Sequence, residues 1–396
     1  MSIATAQSAD RTSAQQSPNA GVAVMISASL AAGVAHLGTS TMPFQIGALM
    51  DGAGYSASLA GTYGFFVVAS LALVMLLISP VIHRMRPELL AVAGGVLGAA
   101  AHAGIYYLVP GTALLFALAI VAGAAYGLVF AGMVAASAAY RNAERLYGVA
   151  NAGALVFLVA IMTAFPYSTK LMGPFGPFLF IALMLLVPCP AFLILKGKPK
   201  DEGHAEVGPK GFGTGVYALL ATWSAFSLGT GALWSFAERI GHDLKLDPET
   251  VGFVLSASTF SGIAGTGIAA IFAGKIPRLA SLVIGMITTG LACAMVGLAS
   301  NIVVYGIGVM AYWVFYMFLY SAMLGVAALM DPSGRVGTAG GGFERMAFAV
   351  GAPLGGLVVD HLSYAWLGIL ACSSCLLILP FTVGSIRQGL REHGAV

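Results

Sequence analysis

Long apolar runs are the feature that most constrains what this sequence can fold into. Twelve stretches of about 20 residues are almost free of charge, and each is long enough to cross a bilayer as an α-helix. Only 8% of all residues are charged, against about 25% in soluble domains. The sequence therefore predicts an all-α membrane protein with helices at 21–48, 57–82, 88–108, 112–137, 146–169, 177–195, 214–239, 250–273, 279–299, 302–329, 336–360 and 364–386.

The lysines and arginines give these helices an orientation. If the N-terminus is cytoplasmic, only Lys170, Arg239 and Lys245 fall outside, and Arg345 falls within a helix. The excess of basic residues inside follows the positive-inside rule. We predict a multi-pass protein of a bacterial-type inner (plasma) membrane with both termini cytoplasmic. The fourteen basic residues on the cytoplasmic side are Arg11, Arg84, Arg86, Arg141, Arg145, Lys196, Lys198, Lys200, Lys210, Lys275, Arg278, Arg335, Arg387 and Arg391.

The twelve helices divide into two series of six. The sequence Gln45-Ile46-Gly47, where the first helix ends, is echoed by Arg239-Ile240-Gly241, where the seventh helix ends. Parallel repeats of this kind place a transport site at the repeat interface near the middle of the bilayer. The predicted domains are a disordered cytoplasmic tail (1–20), an N-terminal six-helix bundle (21–195), a cytoplasmic linker (196–213), a C-terminal six-helix bundle (214–386) and a second cytoplasmic tail (387–396).

The two series of six helices and the charged loop between them resemble the major facilitator superfamily over the whole chain. Residues 79–86 keep the basic residues of the loop signature of that family, Arg84 and Arg86, without its Asp and Gly. Residues 351–356 look similar to the Gly-Pro motif that antiporters of the family carry on their fifth helix. The resemblance implies two pseudo-symmetric six-helix bundles and transport by alternating access.

Two ionisable residues, Glu344 and Arg345, fall about 13 Å into the eleventh helix. A charged side chain at such a depth costs about 2.5–3.5 kcal/mol on insertion scales. It is therefore expected either to pair with another group or to have a functional role. We predict that Arg345 binds an anionic group of the substrate and that Glu344 carries a coupling proton, because burial favours the protonated carboxyl. The alternative is a structural ion pair for each residue. Consecutive helical residues point about 100° apart, so each is expected to have its own partner.

Four further polar residues are candidates for the substrate path. Glu238 and Arg239 close the seventh helix, and we predict proton coupling for Glu238 and substrate binding for Arg239, with a solvated helix cap as the alternative. Gln45 is the counterpart of Arg239 in the repeat and is expected to face the same cavity. His36 lies midway along the first helix, and its side chain titrates near neutral pH. It is predicted to contact the substrate, with a bond to nearby backbone as the alternative.

Aromatic residues concentrate on the tenth helix, where Tyr312, Tyr316 and Tyr320 recur every four residues along one face. Belts at the membrane surface also collect tyrosine, but this stripe runs through the centre of the helix. We therefore predict that Tyr312 and Tyr316 line the substrate cavity, together with Trp234 on the seventh helix. Tyr126 on the fourth helix is expected to face them across the seam between the halves.

Catalytic and nucleotide-binding motifs are missing from the sequence. No His-Glu-x-x-His, Gly-x-Ser-x-Gly or phosphate-loop pattern occurs. The four cysteines lie in apolar stretches and are interpreted as packing residues. The basic residues are scattered and do not form the basic face that nucleic acids require. We predict no enzyme, no cofactor, no metal site and no nucleic-acid partner.

These observations predict a monomeric secondary transporter in a lipid bilayer. Its substrate is expected to be a small organic anion, such as a monocarboxylate or an aromatic acid, carried in symport with protons. Export of amphipathic compounds and uncoupled facilitated diffusion are the alternatives within transport. A membrane-embedded sensor or enzyme is the third class.

Overall fold

The computed structural model describes residues 19–109, 111–140, 143–196, 213–272, 275–331 and 335–392. Within these ranges the chain forms helices and no strand, as expected for an all-α protein. The tail predicted at 1–20 and the linker predicted at 196–213 fall almost wholly outside the described ranges. The α-helices are α1 (Val22–Ser40), α2 (Met42–Ala53), α3 (Ala57–Ile78), α4 (Pro87–Leu108), α5 (Thr112–Ala138), α6 (Ala143–Met172), α7 (Gly176–Leu186), α8 (Cys189–Phe192), α9 (Thr214–Ser235), α10 (Ala237–Asp243), α11 (Pro248–Phe272), α12 (Arg278–Gly297), α13 (Ile302–Met330), α14 (Arg335–His361), α15 (Tyr364–Leu377) and α16 (Leu379–Glu392), with a 3-10 helix at Ser79–Arg84.

Eleven helical segments in the described part of the chain are long and apolar enough to cross a membrane, so the predicted count of twelve is close. The sixth predicted helix is the exception, because the apolar segment Gly176–Phe192 is short and divides into α7 and α8 around Pro188. The first predicted helix also divides, at Thr41, where Pro43 occupies the first turn of α2. A proline has no N–H to donate to the preceding turn, so a helix breaks or restarts there. The final helix runs to Glu392, beyond its predicted end at 386.

The chain packs as two compact units. The first unit comprises Met1–Thr39, Leu73–Leu158 and Phe178–Ala205. Within it, α4 lies close against α5, and Ser27 on α1 donates a hydrogen bond of 2.6 Å to the carbonyl of Ala191 on α8. The second unit comprises Ser40–Ala72, Val159–Pro177 and Glu206–Val396. The division into bundles at 21–195 and 214–386 stays a prediction.

Helix α9 is the centre of the second unit and packs against α14, α15 and α16. Its contact with α14 depends on glycines in the 351–356 motif. A Cβ atom added to Gly351 would lie 2.3 Å from the carbonyl oxygen of Leu228 on α9, and one added to Gly231 would lie 2.5 Å from the carbonyl oxygen of Phe348 on α14. Small residues let membrane helices approach until their backbones touch. The motif therefore fixes the distance between these two helices.

This contact predicts an effect of Gly351→Ala on stability. The added methyl group would collide with a backbone carbonyl that cannot rotate away, and overpacking of this kind costs about 1–3 kcal/mol. Gly306→Ala on α13 is the matched control, because no atom lies within 4 Å of a Cβ at that position. We expect Gly351→Ala to lower the unfolding temperature in detergent and Gly306→Ala to preserve it. Equal unfolding temperatures for the two variants would contradict the packing interpretation.

Candidate transport site

The ten predicted site residues are divided between the two units. His36 and Tyr126 lie in the first unit, and the other eight lie in the second. The expectation that the tyrosines of α13 face Tyr126 stays a prediction. Their contacts are described first for the first unit and then for the second.

In the first unit the two histidines of the spanning helices bond to backbone. The Nδ1 of His36 donates to the carbonyl of Ala32 at 2.8 Å, and its ring lies 5.9 Å from that of Phe130. His102 on α4 is buried, and its Nδ1 donates to the carbonyl of Gly98 at 2.8 Å. This tautomer leaves Nε2 of His102 to accept from the hydroxyl of Tyr126 at 3.1 Å. The Tyr126 hydroxyl is therefore held by a buried histidine of the same unit.

In the second unit the predicted tyrosine stripe faces α9. The ring centroids of Tyr312 and Tyr316 are 5.7 Å apart, and those of Tyr316 and Tyr320 are 6.3 Å apart. Trp234 on α9 stacks on Tyr312 at 6.1 Å and meets Trp313 edge to face at 5.0 Å. Rings at these separations stabilise one another in offset or edge-to-face arrangements. We call these five residues the aromatic cluster.

Glu344 on α14 is buried against the aromatic cluster. The hydroxyl of Tyr316 donates to its Oε1 at 3.0 Å, and Nε of Arg345 lies 3.4 Å from its Oε2. The expectation that adjacent residues each find a separate partner is therefore wrong for this pair. Both side chains are long enough to fold toward each other across the 100° between them, and opposite charges attract strongly where water is scarce. Arg345 stays one-third exposed, so its remaining N–H groups are available.

Three buried donors on α9 and α13 lack a partner in the described part of the chain. Within the described part of the chain, the indole N–H of Trp313, the indole N–H of Trp223 and the hydroxyl of Ser227 have no hydrogen-bond partner. Trp223 lies on α9 with its ring 5.6 Å from that of Tyr320. Buried polar groups in native proteins are almost always satisfied, so each exception calls for an explanation. A bound molecule with acceptor atoms would satisfy them.

A second group, here called the outer cluster, lies at the predicted extracytoplasmic end. It consists of Asp51 at the end of α2 and of Glu238 and Arg239 on the short helix α10. Arg239 is buried and donates to both carboxylate oxygens of Asp51, at 2.8 and 2.5 Å, and to Oε2 of Glu238 at 2.8 Å. A Cβ on Gly47 would lie 2.6 Å from Oε2 of Glu238. The glycine of the predicted repeat motif thus leaves room for this ion pair.

The outer cluster borders a cavity of about 390 Å³, which Phe44, Phe165, Lys170 and His242 also line. Helix α10 follows the candidate span that ends at Ser235. Burial there raises the pKa of the Glu238 carboxyl above its usual range, although the guanidinium of the adjacent arginine opposes this shift. Glu238 is therefore easier to protonate than an exposed glutamate.

Gln45 was expected to face the same cavity as Arg239, but it does not line the cavity beside the outer cluster. Its amide donates to the hydroxyl of Thr41 at 2.9 Å and accepts from the hydroxyl of Tyr63 at 2.6 Å. Gln45 and Tyr63 are both buried. Their hydrogen bond joins α2 to α3. A buried amide needs both an acceptor for its N–H and a donor for its oxygen, and the hydroxyls of Thr41 and Tyr63 supply them.

Two further polar contacts of the second unit lie, like the outer cluster, at the predicted extracytoplasmic end. Both oxygens of Asp360 on α14 accept from the first backbone N–H groups of α3, those of Ala57 at 2.8 Å and Ser58 at 2.9 Å. A carboxylate at a helix N-terminus is stabilised by the unpaired N–H groups and by the helix dipole. Lys170 on α6 pairs with Glu249 on α11. Each contact joins a helix of the first series to a helix of the second.

Sequence reasoning missed four of these participants. Asp51 and Asp360 sit at helix ends, where a charge is usually solvated, and nothing in the pattern distinguishes them from other loop carboxylates. Trp223 and Trp313 carry no periodic signal like that of the tyrosines. Asp51 and Arg239 are 188 residues apart, so only the fold brings them together.

No protein-family model matches the sequence, and no curated protein matches it. Solved structures do share its fold. The nucleoside transporter NupG matches with a TM-score of 0.72 at 12% identity, over 92% of this chain and 99% of that chain. A point mutant of NupG gives a TM-score of 0.74 at 13% identity, over 92% and 100% of the two chains. A bacterial homologue of the human lysosomal transporter Spinster, solved inward-facing and unoccupied, gives 0.66 at 10% identity, over 93% and 95%.

Proposed function

We propose that this chain, whose fold is that of the major facilitator superfamily, is a secondary transporter of small organic molecules. One observation carries the proposal. A buried carboxylate, Glu344, lies inside a candidate membrane span beside a half-buried arginine. Its hydrogen-bond partner Tyr316 packs against Trp313, whose indole N–H has no partner in the described chain. Ionisable groups at membrane depth mark substrate or ion pathways more often than they mark structure.

The chemistry of the aromatic cluster supports an organic anion as the substrate. Arg345 offers a planar fork of donors that matches a carboxylate, and Trp313 and Trp223 can donate but cannot accept. Tyr312 and Tyr316 present ring faces on which a planar or apolar group can stack. A monocarboxylate or an aromatic acid combines the two features. Adding aromatic acids and alkyl monocarboxylates to the purified protein tests the class, because a ligand that binds the folded state raises its unfolding temperature.

A nucleoside is the second candidate substrate. The planar base of a nucleoside suits the same stacked rings, and the nucleoside transporter NupG shares the fold of this chain. A nucleoside lacks the negative charge that Arg345 would bind, so the two candidates differ in their dependence on that residue. The ligand panel should therefore include uridine and adenosine beside the acids. Stabilisation by nucleosides alone would replace the anion proposal.

Proton coupling is proposed to run through Glu344, with Glu238 as a second titrating carboxylate. Replacing Glu344 by glutamine keeps the acceptor for Tyr316 but removes the proton. We expect Glu344→Gln proteoliposomes to exchange substrate at near wild-type rates while internal substrate rises no higher than the external concentration. In wild-type proteoliposomes, a protonophore should remove accumulation in the same way.

Three results would contradict proton-coupled uptake through Glu344. Full accumulation by the Glu344→Gln variant would exclude this carboxylate as the coupling site. Wild-type protein that only equilibrates its substrate would be a facilitator. Resistance to amphipathic compounds in cells that overproduce the protein, with no uptake, would favour the exporter.

Alternating access also requires a closed outer end that can open. The outer cluster and the Asp360 contact join α2 to α10 and α3 to α14 in the second unit. We propose that both contacts break when the substrate path opens toward the predicted extracytoplasmic side.

A further inference from the structure

A second cavity, of about 270 Å³, lies between three helices of the second unit. Its walls come from the end of α11, the start of α12 and the second half of α13. The charged residue in its lining is Arg278, and hydroxyls are supplied by Thr266, Ser281 and Ser321. Among the described residues, no carboxylate belongs to the lining. The cavity therefore has a positive charge that no lining residue neutralises.

Two donors in this cavity have no partner among the described residues. They are the guanidinium of Arg278 and the hydroxyl of Ser281, which lie one helical turn apart. By contrast, the hydroxyls of Thr266 and Ser321 donate to carbonyls of their own helices, at 2.9 and 2.8 Å. Both of these donors line the same cavity. Such a pair suits an oxyanion, because arginine offers a planar fork and serine a single O–H.

Gly325 on α13 positions this guanidinium. A Cβ at Gly325 would lie 3.2 Å from Nη1 of Arg278, and it would meet no other group within 4 Å. The missing side chain leaves room for the guanidinium beside α13. The local geometry thus holds a cation at the edge of a cavity between three helices.

We propose that this cavity binds the phosphate of an anionic lipid. Phe272 lines the cavity and is 42% exposed, and the neighbouring Ile271 is 60% exposed, so apolar surface for acyl chains adjoins the phosphate position. The cavity lies at the predicted cytoplasmic end, where the bilayer leaflet carries anionic headgroups and where basic pockets between helices bind them. Lys275 in the adjoining turn is exposed and lies outside the lining.

The test uses the full-length protein, delipidated in detergent, and short-chain phosphatidylglycerol. Diacylglycerol with the same chains is the control lipid, since it lacks only the phosphate headgroup. We expect phosphatidylglycerol to raise the unfolding temperature of the wild type and diacylglycerol to leave it unchanged. Arg278→Gln should bind phosphatidylglycerol about five- to tenfold more weakly, which is the effect of one basic side chain near an anionic lipid.

Two variants distinguish binding in this cavity from nonspecific attraction between basic residues and the anionic lipid. Lys275→Gln removes a charge from the same turn outside the cavity and should bind the lipid like the wild type. Gly325→Leu keeps Arg278 but displaces its guanidinium, so it should weaken binding as Arg278→Gln does. Equal affinity in the wild type and Arg278→Gln, or equal stabilisation by diacylglycerol, would overturn the proposal. Stabilisation by millimolar inorganic phosphate and not by phosphatidylglycerol would assign the cavity to a soluble phosphate and overturn the lipid.

Discussion

Arg345→Ala is expected to abolish substrate uptake in a protein that still inserts and purifies normally. The variant removes the one-third-exposed donor fork beside Glu344 and leaves that carboxylate with the Tyr316 hydroxyl as its bonded partner. Loss of one member of a buried charge pair at a binding site costs about 2–5 kcal/mol, which weakens binding by roughly 30-fold to several thousandfold. The measurement is uptake of the ligand identified by thermal shift into proteoliposomes.

Two further variants keep this experiment decisive. Arg345→Lys preserves the charge without the planar fork, so partial uptake is expected if the substrate accepts a bidentate contact. Arg387→Ala removes an exposed arginine from the last helix and should transport like the wild type. Unchanged uptake in a correctly folded Arg345→Ala protein would remove Arg345 from the substrate site.

The second large effect is expected in the outer cluster, where Arg239 either pairs with Asp51 as part of an outer gate or binds the substrate. If the guanidinium pairs structurally with Asp51, Asp51→Ala leaves a buried cation short of one carboxylate and lowers stability by about 1–3 kcal/mol. The loss is smaller than for a fully buried pair, because Asp51 is largely exposed and Glu238 still accepts from Arg239. The double variant Asp51→Ala, Arg239→Ala should then be more stable than Asp51→Ala alone. Unfolding temperatures of the three variants and the wild type form a double-mutant cycle that isolates the pair.

Transport assays on the same proteins separate the two roles. An outer gate predicts that Asp51→Ala and Arg239→Ala change transport together, because each breaks the same contact. A substrate-binding Arg239 predicts instead that substrate affinity falls in Arg239→Ala and survives in Asp51→Ala. Asp243→Ala, an exposed carboxylate on the same short helix, is the control and should behave like the wild type. Additive effects in the cycle would show that the pair does not act as a unit.

The helices could be predicted closely because hydropathy is a local property of the chain. The third predicted helix, 88–108, is α4 at Pro87–Leu108, and the tenth, 302–329, is α13 at Ile302–Met330. The divisions within predicted helices were missed, although Pro43 and Pro188 mark two of them. An apolar run shows that a segment is buried in lipid, and it gives no information on whether the backbone inside the run is continuous.

By itself, the sequence determined the membrane class, the helix order and the alignment of Tyr312 and Tyr316 on one face. These follow from composition and from the fixed angle between successive helical residues. The tertiary structure alone decided which partners the charges take. Arg239 meets Asp51 from the other series of helices, and Glu344 meets Tyr316 as well as its own neighbour in the chain. The physical reason is that a buried charge is stabilised by whatever opposite charge or donor the packing brings within about 3 Å, and sequence spacing does not encode that distance.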